Sequence, residues 1–208
     1  MKFLKPKFWD KKQVSFYSIC LLPIAIVFQI INIIRRLFSK NKKFPIPIIC
    51  VGNIYLGGTG KTPLSSEVFS ILKSLNKKPV FIKKKYTSYQ DETNLLKQTG
   101  PTYENSERID AINEAIKDGF EIAVLDDGFQ DFSIKKKISI ICFNEKQWIG
   151  NGFLIPAGPL REGLTALKRA NCIVINGKKN SNIETKILTL NKSLKIFYSK
   201  YIPQDIDI

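Results

Sequence analysis

A glycine-rich stretch carries the residue types that bind phosphate, namely Gly57, Gly58, Thr59, Gly60, Lys61 and Thr62. Glycines let successive backbone N–H groups converge on phosphate oxygens without clashes from Cβ atoms. A helix predicted from residue 62 onward would point the positive end of its dipole at the same anion. In this arrangement we expect Lys61 to reach the β- and γ-phosphates of a nucleotide, and the hydroxyl of Thr62 to bind Mg²⁺.

The spacing departs from the common phosphate-loop pattern at one position. That pattern, G-x-x-x-x-G-K-[ST], requires glycine at position 55, where this chain has Tyr55. A glycine lies three residues earlier, at Gly52, and the predicted strand before the loop and helix after it match the expected context. The sequence therefore favours a nucleotide-binding loop over the alternative, a glycine-rich turn without a ligand.

Two adjacent carboxylates, Asp126 and Asp127, follow an apolar segment at residues 121–125. An apolar strand that ends in acidic residues places carboxylates at the carboxyl edge of a parallel sheet, where such sheets bind ligands. Beside a phosphate loop, one such aspartate commonly holds the Mg²⁺ that bridges the β- and γ-phosphates. Taken alone, the pair is more typical of a turn, and it is the phosphate loop that favours a metal-binding role.

A second dense stretch, residues 151–162, ends in Arg161 and Glu162. Its prolines and glycines indicate a shaped loop rather than a linker. Arg161 could neutralise charge on a transferring phosphate, and Glu162 could bind a metal or orient another group. The alternative is a helix entry with an exposed ion pair, and the residues alone do not decide between the two.

The chain has no histidine and four cysteines. Acid–base chemistry must therefore use carboxylates, lysine or tyrosine, or a group that is missing from this chain. The cysteines are widely separated in apolar runs and form no C-x-x-C pair, which indicates buried reduced thiols rather than a zinc or dithiol site.

Short apolar segments that alternate with helical patterns must position these residues. Strands are predicted at residues 47–51, 79–82, 121–125, 138–143 and 172–175, and helices at residues 62–74 and 107–117. On the second helix Ile109, Ile112 and Ile116 share one face. Such alternation predicts an α/β fold of the P-loop NTPase type, with three α/β/α layers and a mostly parallel sheet.

An uncharged apolar run occupies residues 14–34, between Lys11–Lys12 and Arg35–Arg36. Its length is sufficient to cross a bilayer, but Pro23 interrupts it and basic residues flank both ends. We expect a membrane-associated helix that lies in the cytoplasmic leaflet, with its basic flanks on lipid headgroups. A spanning helix and a buried core helix are the alternatives, and no small-x-small site follows that would indicate a cleaved signal peptide.

Basic residues exceed acidic ones by 33 to 18, a net charge of +15. This excess indicates a polyanionic partner, such as an anionic membrane surface or a phosphorylated substrate, unless it reflects a compositional bias towards lysine. No nucleic acid is expected as a partner, because aromatic residues are not interleaved with the basic ones as on a stacking surface.

Three motifs together resemble the tetraacyldisaccharide 4'-kinase family, the lipid A 4'-kinases. They are V-G-N-x-x-x-G-G-T-G-K-T-P at residues 51–63, D-D-G-F-Q at residues 126–130 and G-N-G-x-L-x-P-A-G-P-L-R-E at residues 150–162. A V-I-N-G stretch at residues 174–177 and an apolar N-terminal helix are also similar to that family. The resemblance implies transfer of the γ-phosphate of ATP to the 4'-hydroxyl of a lipid-linked disaccharide, at the cytoplasmic face of the bacterial inner membrane.

The resemblance also implies roles for particular residues of this chain. Thr59, Lys61 and Thr62 would bind ATP and Mg²⁺, and Asp126, Asp127 and Glu162 would surround the metal and phosphates, with Gln130 and Arg161 close by. The family's catalytic acid lies in G-D-E, matched here by Q-D-E at residues 90–92, which implies Asp91 as the catalytic residue. Arg108 resembles an arginine near the family's active site.

The resemblance predicts three regions: an apolar helix with basic flanks at 1–43, a P-loop kinase domain at 44–177 and the start of a second lobe at 178–208. In the family this lobe holds a histidine that partners the catalytic aspartate, so we expect a C-terminally truncated member. Two local differences are visible: residues 84–87 read K-K-Y-T where the family has R-G-Y-G, and Asp131 replaces a histidine after D-D-G-F-Q.

Overall fold

The computed structural model describes residues 5–11, 14–85 and 90–200, with only the backbone described for Gln90. These residues form two compact units. The first unit contains the chain up to Leu37, Ile54–Gly60 and the chain from Cys142 onward. The second unit contains Phe38–Asn53 and Lys61–Ile141. The predicted kinase motifs are therefore distributed over both units.

The second unit is built on parallel strands in the order β3-β2-β4-β1-β5. The strands are β1 (Ile48–Gly52), β2 (Pro79–Lys84), β3 (Thr102–Asn105), β4 (Ile122–Asp126) and β5 (Ile138–Asn144). In the register of β1 and β4, Val51 lies opposite Asp126, so the loop after β1 and the carboxylates after β4 leave the same edge of the sheet.

Helices α2 (Lys61–Ser74), α3 (Gln90–Thr99) and α4 (Arg108–Lys117) complete the second unit. All five residues of β1 and all five of β4 are buried. Because successive side chains of a strand point to opposite faces, such strands must be covered on both faces. On α4 the buried residues are Arg108, Ala111, Ile112 and Ala115. Of the three isoleucines predicted to share its core-facing side, only Ile112 is fully buried.

The first unit contains the end of β5 followed by β6 (Cys172–Asn176) and β7 (Lys195–Ser199), in the order β5-β6-β7. β6 and β7 pair in parallel, and α5 (Ser181–Leu190) connects them. The side chain of Asn180 caps α5 by accepting a hydrogen bond of 3.3 Å from the N–H of Ile183. Two short 3₁₀ turns, Lys7–Trp9 and Leu164–Arg169, belong to the same unit.

The N-terminal apolar segment forms a single helix, α1 (Phe16–Phe38), with Pro23 inside it. By length and composition this is the one helix in the described part of the chain that could cross a membrane, a test that core helices and signal sequences also pass. Only 11% of its most apolar window is buried, which is opposite to the pattern of a core helix. Its buried residues are Ser18 and Ala25.

Candidate active site

The glycine-rich loop adopts backbone conformations that its residue types allow. Gly57 and Gly60 have φ values of 140° and 88°, in the region that disfavours side chains. A Cβ on Gly60 would also lie 3.2 Å from Nδ2 of Asn176, at the end of β6. Thr59 is buried, and its carbonyl accepts a hydrogen bond from Sγ of Cys142, 2.9 Å away. Strands β5 and β6 of the first unit thus line this part of the loop.

Gly52, the displaced glycine of the pattern, is required for packing. A Cβ on Gly52 would approach Cβ of Phe129 to 2.6 Å, so only glycine lets the D-D-G-F-Q segment lie against the end of β1. The amide of Gln130 strengthens this approach by donating a hydrogen bond of 2.9 Å to the carbonyl of Asn53. Gln130 therefore contacts the chain at the start of the loop.

Lys61 and Asp127 lie close together in the second unit. Lys61 is the first residue of α2, and its Nζ lies 3.9 Å from Oδ1 of Asp127. The side chain of Lys61 is 11% exposed and that of Asp127 is 29% exposed, so both retain some access to solvent. Asp127 has a φ of 54°, a turn conformation in which its N–H bonds the carbonyl of Val51 at 2.9 Å. Thr62 is the next residue of α2.

Asp126 has a different environment from its neighbour, since its side chain is only 1% exposed. Its Oδ1 accepts a hydrogen bond of 2.9 Å from Ser65 on α2, and its Oδ2 lies 3.2 Å from Nζ of Lys83 on β2. Burial raises the pKa of Asp126 above its ordinary value, although the charge of Lys83 and the hydrogen bond from Ser65 oppose the shift. Both carboxylate oxygens of Asp126 are therefore engaged by protein groups.

Lys83 extends this contact to the predicted catalytic helix. Its Nζ also lies 3.0 Å from Oε2 of Glu92, in the first turn of α3. Asp91, one residue earlier, is exposed, and its side chain has no hydrogen bond or ion pair with another described residue. Sequence reasoning did not identify Ser65, Lys83 or Glu92 as site residues, because their contacts depend on how α2, β2 and α3 pack together with β4.

Arg108 lies at the start of α4 and binds the segment that follows β4. Its Nη2 donates a hydrogen bond of 2.8 Å to the carbonyl of Asp127, and its Nη1 lies 3.2 Å from Oδ2 of Asp131. Burial alone would raise the pKa of Asp131, but hydrogen bonds from Ser133 and the charge of Arg108 hold it below its ordinary value. Arg108 thus fixes the turn that presents the Asp127 carboxylate.

Arg161 and Glu162 lie in the first unit. The N–H of Arg161 donates a hydrogen bond of 2.7 Å to the carbonyl of Ile54, which attaches the end of the G-P-L-R-E stretch to the glycine-rich loop. Both oxygens of Glu162 accept from Nη2 of Arg169, at 2.9 and 2.8 Å. Glu162 therefore forms an ion pair, as in the alternative to a metal-binding role, but both side chains of the pair are largely buried rather than exposed.

The described residues contain no group of three or more acidic, cysteine or histidine side chains that could hold a metal ion. Mg²⁺ does not require such a group when a nucleotide is present, because it binds through one or two carboxylates together with phosphate oxygens and water. Asp127, which is partly exposed, fits that requirement, and Thr62, the buried second residue of α2, has the hydroxyl that a phosphate loop supplies to Mg²⁺. Asp126, with both oxygens engaged, fits it less well.

Comparison with known proteins places the chain in a family. The family model for tetraacyldisaccharide-1-P 4'-kinase matches residues 17–206. A tetraacyldisaccharide 4'-kinase of Pelagibacter ubique is 47% identical over 211 residues, which cover 100% of this chain and 66% of that protein. One of Parvibaculum lavamentivorans is 31% identical over 195 residues, which cover 84% of this chain and 57% of that protein. The chain spans less than two thirds of the length of these curated relatives.

The fold agrees with this result. The crystal structure of LpxK from Aquifex aeolicus in complex with ATP superimposes with a TM-score of 0.67 at 20% identity, covering 92% of this chain and 86% of that one. The predicted α/β fold of the P-loop NTPase type is thereby confirmed. With the family model covering most of its length, the chain belongs to the tetraacyldisaccharide 4'-kinase family.

Proposed function

We propose that this chain forms the nucleotide-binding part of a kinase that transfers the γ-phosphate of ATP to the 4'-hydroxyl of a lipid A disaccharide 1-phosphate precursor. The observation that carries the proposal is the proximity of Lys61 and Asp127, whose side chains leave the two chain segments expected to meet a nucleotide. A lysine at the start of a helix and an aspartate at the carboxyl edge of the sheet are the charges that phosphoryl transfer requires.

In this proposal the glycine-rich loop and Lys61 bind the phosphates of ATP. Mg²⁺ would be held by Thr62 and Asp127, where it would neutralise charge on the β- and γ-phosphates. Asp126 supports the site by holding α2 against β4 through Ser65. Gln130 and Arg108 shape the turn that carries Asp127. For Glu162 and Arg161, the support for a role at the phosphates is the family resemblance of the G-P-L-R-E stretch.

Asp91 is the proposed catalytic residue for the acceptor hydroxyl. It is exposed and lies in the first turn of α3, next to Glu92, whose contact with Lys83 ties that turn to β2. A hydroxyl nucleophile needs a positioned carboxylate to orient it and to accept its proton as the new bond forms. The exposure of Asp91, on a turn that the contact of Glu92 with Lys83 attaches to β2, supports this role.

The exposed apolar surface of α1 supports a membrane location. Two arginines in its last turn, Arg35 and Arg36, suit anionic headgroups. We place the protein at the cytoplasmic face of the inner membrane, where ATP and a lipid-linked sugar are both accessible. The same proposal divides the chain into a membrane helix (1–43), a kinase domain (44–177) and the start of a second lobe (178–208).

The proposal is tested by Lys61→Ala. Loss of its charge should weaken Mg·ATP binding at least about tenfold, or about 1.4 kcal/mol, in titration calorimetry. Lys73→Ala is the matched control, because Lys73 lies in the last turn of the same helix. Equal ATP affinity in the Lys61→Ala variant and the unmodified chain would refute the nucleotide site.

The reaction is tested with radiolabelled ATP and tetraacyldisaccharide 1-phosphate. Because these 208 residues contain no histidine that could partner Asp91, we expect them to label the disaccharide only near background. A protein that also carries the family's second lobe should label the disaccharide, and its Asp91→Asn variant should not, although it should keep its ATP affinity. Strong labelling by the 208 residues alone would refute the need for that histidine. ATP hydrolysis by the longer protein that leaves the disaccharide unlabelled would favour the alternative, a membrane-associated P-loop ATPase.

A further inference from the structure

Tyr55 occupies the position at which the phosphate-loop pattern has glycine, and its side chain is completely buried. Its hydroxyl donates a hydrogen bond of 2.8 Å to Oδ1 of Asp10. The ammonium group of Lys5 hydrogen-bonds both the Tyr55 hydroxyl and the Asp10 carboxylate, and lies 4.8 Å from the centre of the Tyr55 ring. A residue within the glycine-rich loop is thus held by two charged residues from the N-terminal segment.

The segment that carries Lys5 and Asp10 is itself firmly attached. Trp9 is 1% exposed, and its indole N–H donates a hydrogen bond of 3.0 Å to the carbonyl of Pro156. The carbonyl of Trp9 accepts a hydrogen bond of 2.8 Å from the N–H of Asn151. The side chain of Asn151 also donates to Oγ of the buried Ser18, at 3.1 Å. Lys5 and Asp10 therefore project from an anchored segment rather than from a loose terminus.

The backbone around Tyr55 is held from another direction. The N–H of Leu56 donates a hydrogen bond of 2.8 Å to the carbonyl of Pro159, and Tyr55 forms an antiparallel bridge with Leu160. The glycines that follow carry the positive φ values of the phosphate-binding turn, and a Cβ on Gly57 would lie 3.5 Å from the Tyr55 ring. Tyr55 is therefore held by both its side chain and its backbone, two residues before the first of the positive-φ glycines.

We propose that Lys5, Asp10 and Tyr55 act as a clamp that positions the phosphate-binding loop for nucleotide. A loop that is already ordered loses less conformational freedom when it binds a ligand, so the clamp should increase affinity without contacting the nucleotide. This inference rests on the proposed ATP site and assigns it three positioning residues. Tyrosine at position 55, where the pattern has glycine, then serves to hold the loop in one conformation.

The hydroxyl of Tyr55 should contribute most of the stabilisation that the clamp provides, because Tyr55 is buried. Side chains of Lys5 and Asp10 are 26% and 52% exposed, so their ion pair alone contributes little. Tyr55→Phe removes the hydroxyl and leaves the ring in place. Because the loss of one hydrogen bond of this kind allows the loop to move, Mg·ATP binding should weaken by about three- to tenfold.

Tyr198→Phe is the matched control. Its hydroxyl donates to Oε1 of Glu184 at 2.9 Å and accepts from the N–H of Asn180 at 3.1 Å, so the variant loses comparable hydrogen bonds elsewhere in the same unit. We expect both variants to lower the urea midpoint to a similar extent, but only Tyr55→Phe to change the Kd for Mg·ATP. In a turnover assay of a protein that also carries the family's second lobe, Tyr55→Phe should raise KM for ATP and leave kcat unchanged.

Asp10→Ala provides a second variant at a half-exposed position, should Tyr55→Phe fail to fold. Asp10→Ala should weaken ATP binding. The double variant Asp10→Ala, Tyr55→Phe should have the same ATP affinity as the weaker-binding single variant, because both changes break the same contact. ATP affinity equal to that of the unmodified chain in either folded single variant would overturn the clamp. If the unmodified chain binds no ATP, it is the proposed function that fails.

Discussion

Replacing Lys83 by methionine is the most informative test of how the second unit is held together. Lys83 lies between Asp126 and Glu92, with Nζ–O distances of 3.2 and 3.0 Å. Methionine keeps most of the volume and the flexible apolar stem but removes the charge. The variant therefore leaves the Asp126 carboxylate in place without its cation.

The expected magnitude follows from burial. The Lys83 and Asp126 side chains are 5% and 1% exposed, so water cannot take over the lost interaction. Breaking a buried ion pair by removing one partner costs about 3–5 kcal/mol, because an uncompensated charge remains. The Glu92 side chain is 48% exposed, so its contact with Lys83 should contribute about 1 kcal/mol or less. We therefore expect Lys83→Met to lower the free energy of unfolding by about 3–5 kcal/mol.

Urea unfolding should be followed by far-ultraviolet circular dichroism, because both tryptophans, Trp9 and Trp148, lie in the first unit and report on it. Lys97→Met is the control: Lys97 pairs with Glu104 at 3.1 Å, but its side chain is 53% exposed, so about 1 kcal/mol or less should be lost. Adding Asp126→Asn to Lys83→Met should restore most of the stability, since the unpaired charge is then removed. A loss for Lys83→Met as small as that for Lys97→Met would refute the reasoning.

Two further predictions concern the membrane helix and a surface carboxylate. The double variant Ile30→Asp, Ile33→Asp on α1 should reduce flotation with anionic vesicles at least about tenfold, because each aspartate costs more than about 2 kcal/mol in lipid. The control Ile71→Asp changes a residue on α2 with the same 50% exposure and should not reduce flotation. Equal flotation of the double variant and the control would contradict the membrane role of α1. The pKa of Asp131 is lowered in the folded state, so ionised Asp131 stabilises the fold. This stabilisation should be complete above the ordinary carboxyl pKa and should disappear as pH falls through the lowered pKa. The difference in unfolding free energy between the unmodified chain and Asp131→Asn should therefore shrink below about pH 4. A difference that grows below that pH would contradict the lowered pKa of Asp131.

Strands with continuous apolar residues and helices with a periodic apolar pattern, such as α4, could be predicted from the sequence, whereas β3 and α3 could not. The buried β1 and β4 were predicted to within about a residue at each end because their burial on both faces requires uninterrupted apolar residues. β3 reads T-Y-E-N with all four residues half-buried, and α3 reads Q-D-E-T-N-L-L-K-Q-T, so neither has the pattern that distinguishes an element. Their positions depend on pairing and packing with β2 and α2, which only the folded chain supplies.

The sequence predicted which residues carry the chemistry of the candidate site, but it did not predict which side chains contact one another. The glycine-rich loop and the acidic pair identify phosphate and metal chemistry because the required groups occur next to one another in the chain. The ion pair of Glu162 with Arg169 and that of Lys83 with Asp126 join residues on different elements. Arg108 illustrates the same limit: the resemblance places it near the site, whereas its contact with the Asp127 carbonyl emerges only from the fold.

Asp126 and Asp127, at the end of β4, show that identical residues at consecutive positions need not share one role. Asp126 is the last residue of the strand, and the pleat directs its carboxylate into the unit, where Ser65 and Lys83 engage both oxygens. Asp127 begins the turn with a positive φ, and its carboxylate lies near Lys61, one helical turn before Ser65 on α2. Environment, not residue type, separates the two carboxylates. In the proposed site, Asp126 therefore holds α2 and β2 together, and Asp127 is the acidic side chain that would meet a metal-bound phosphate.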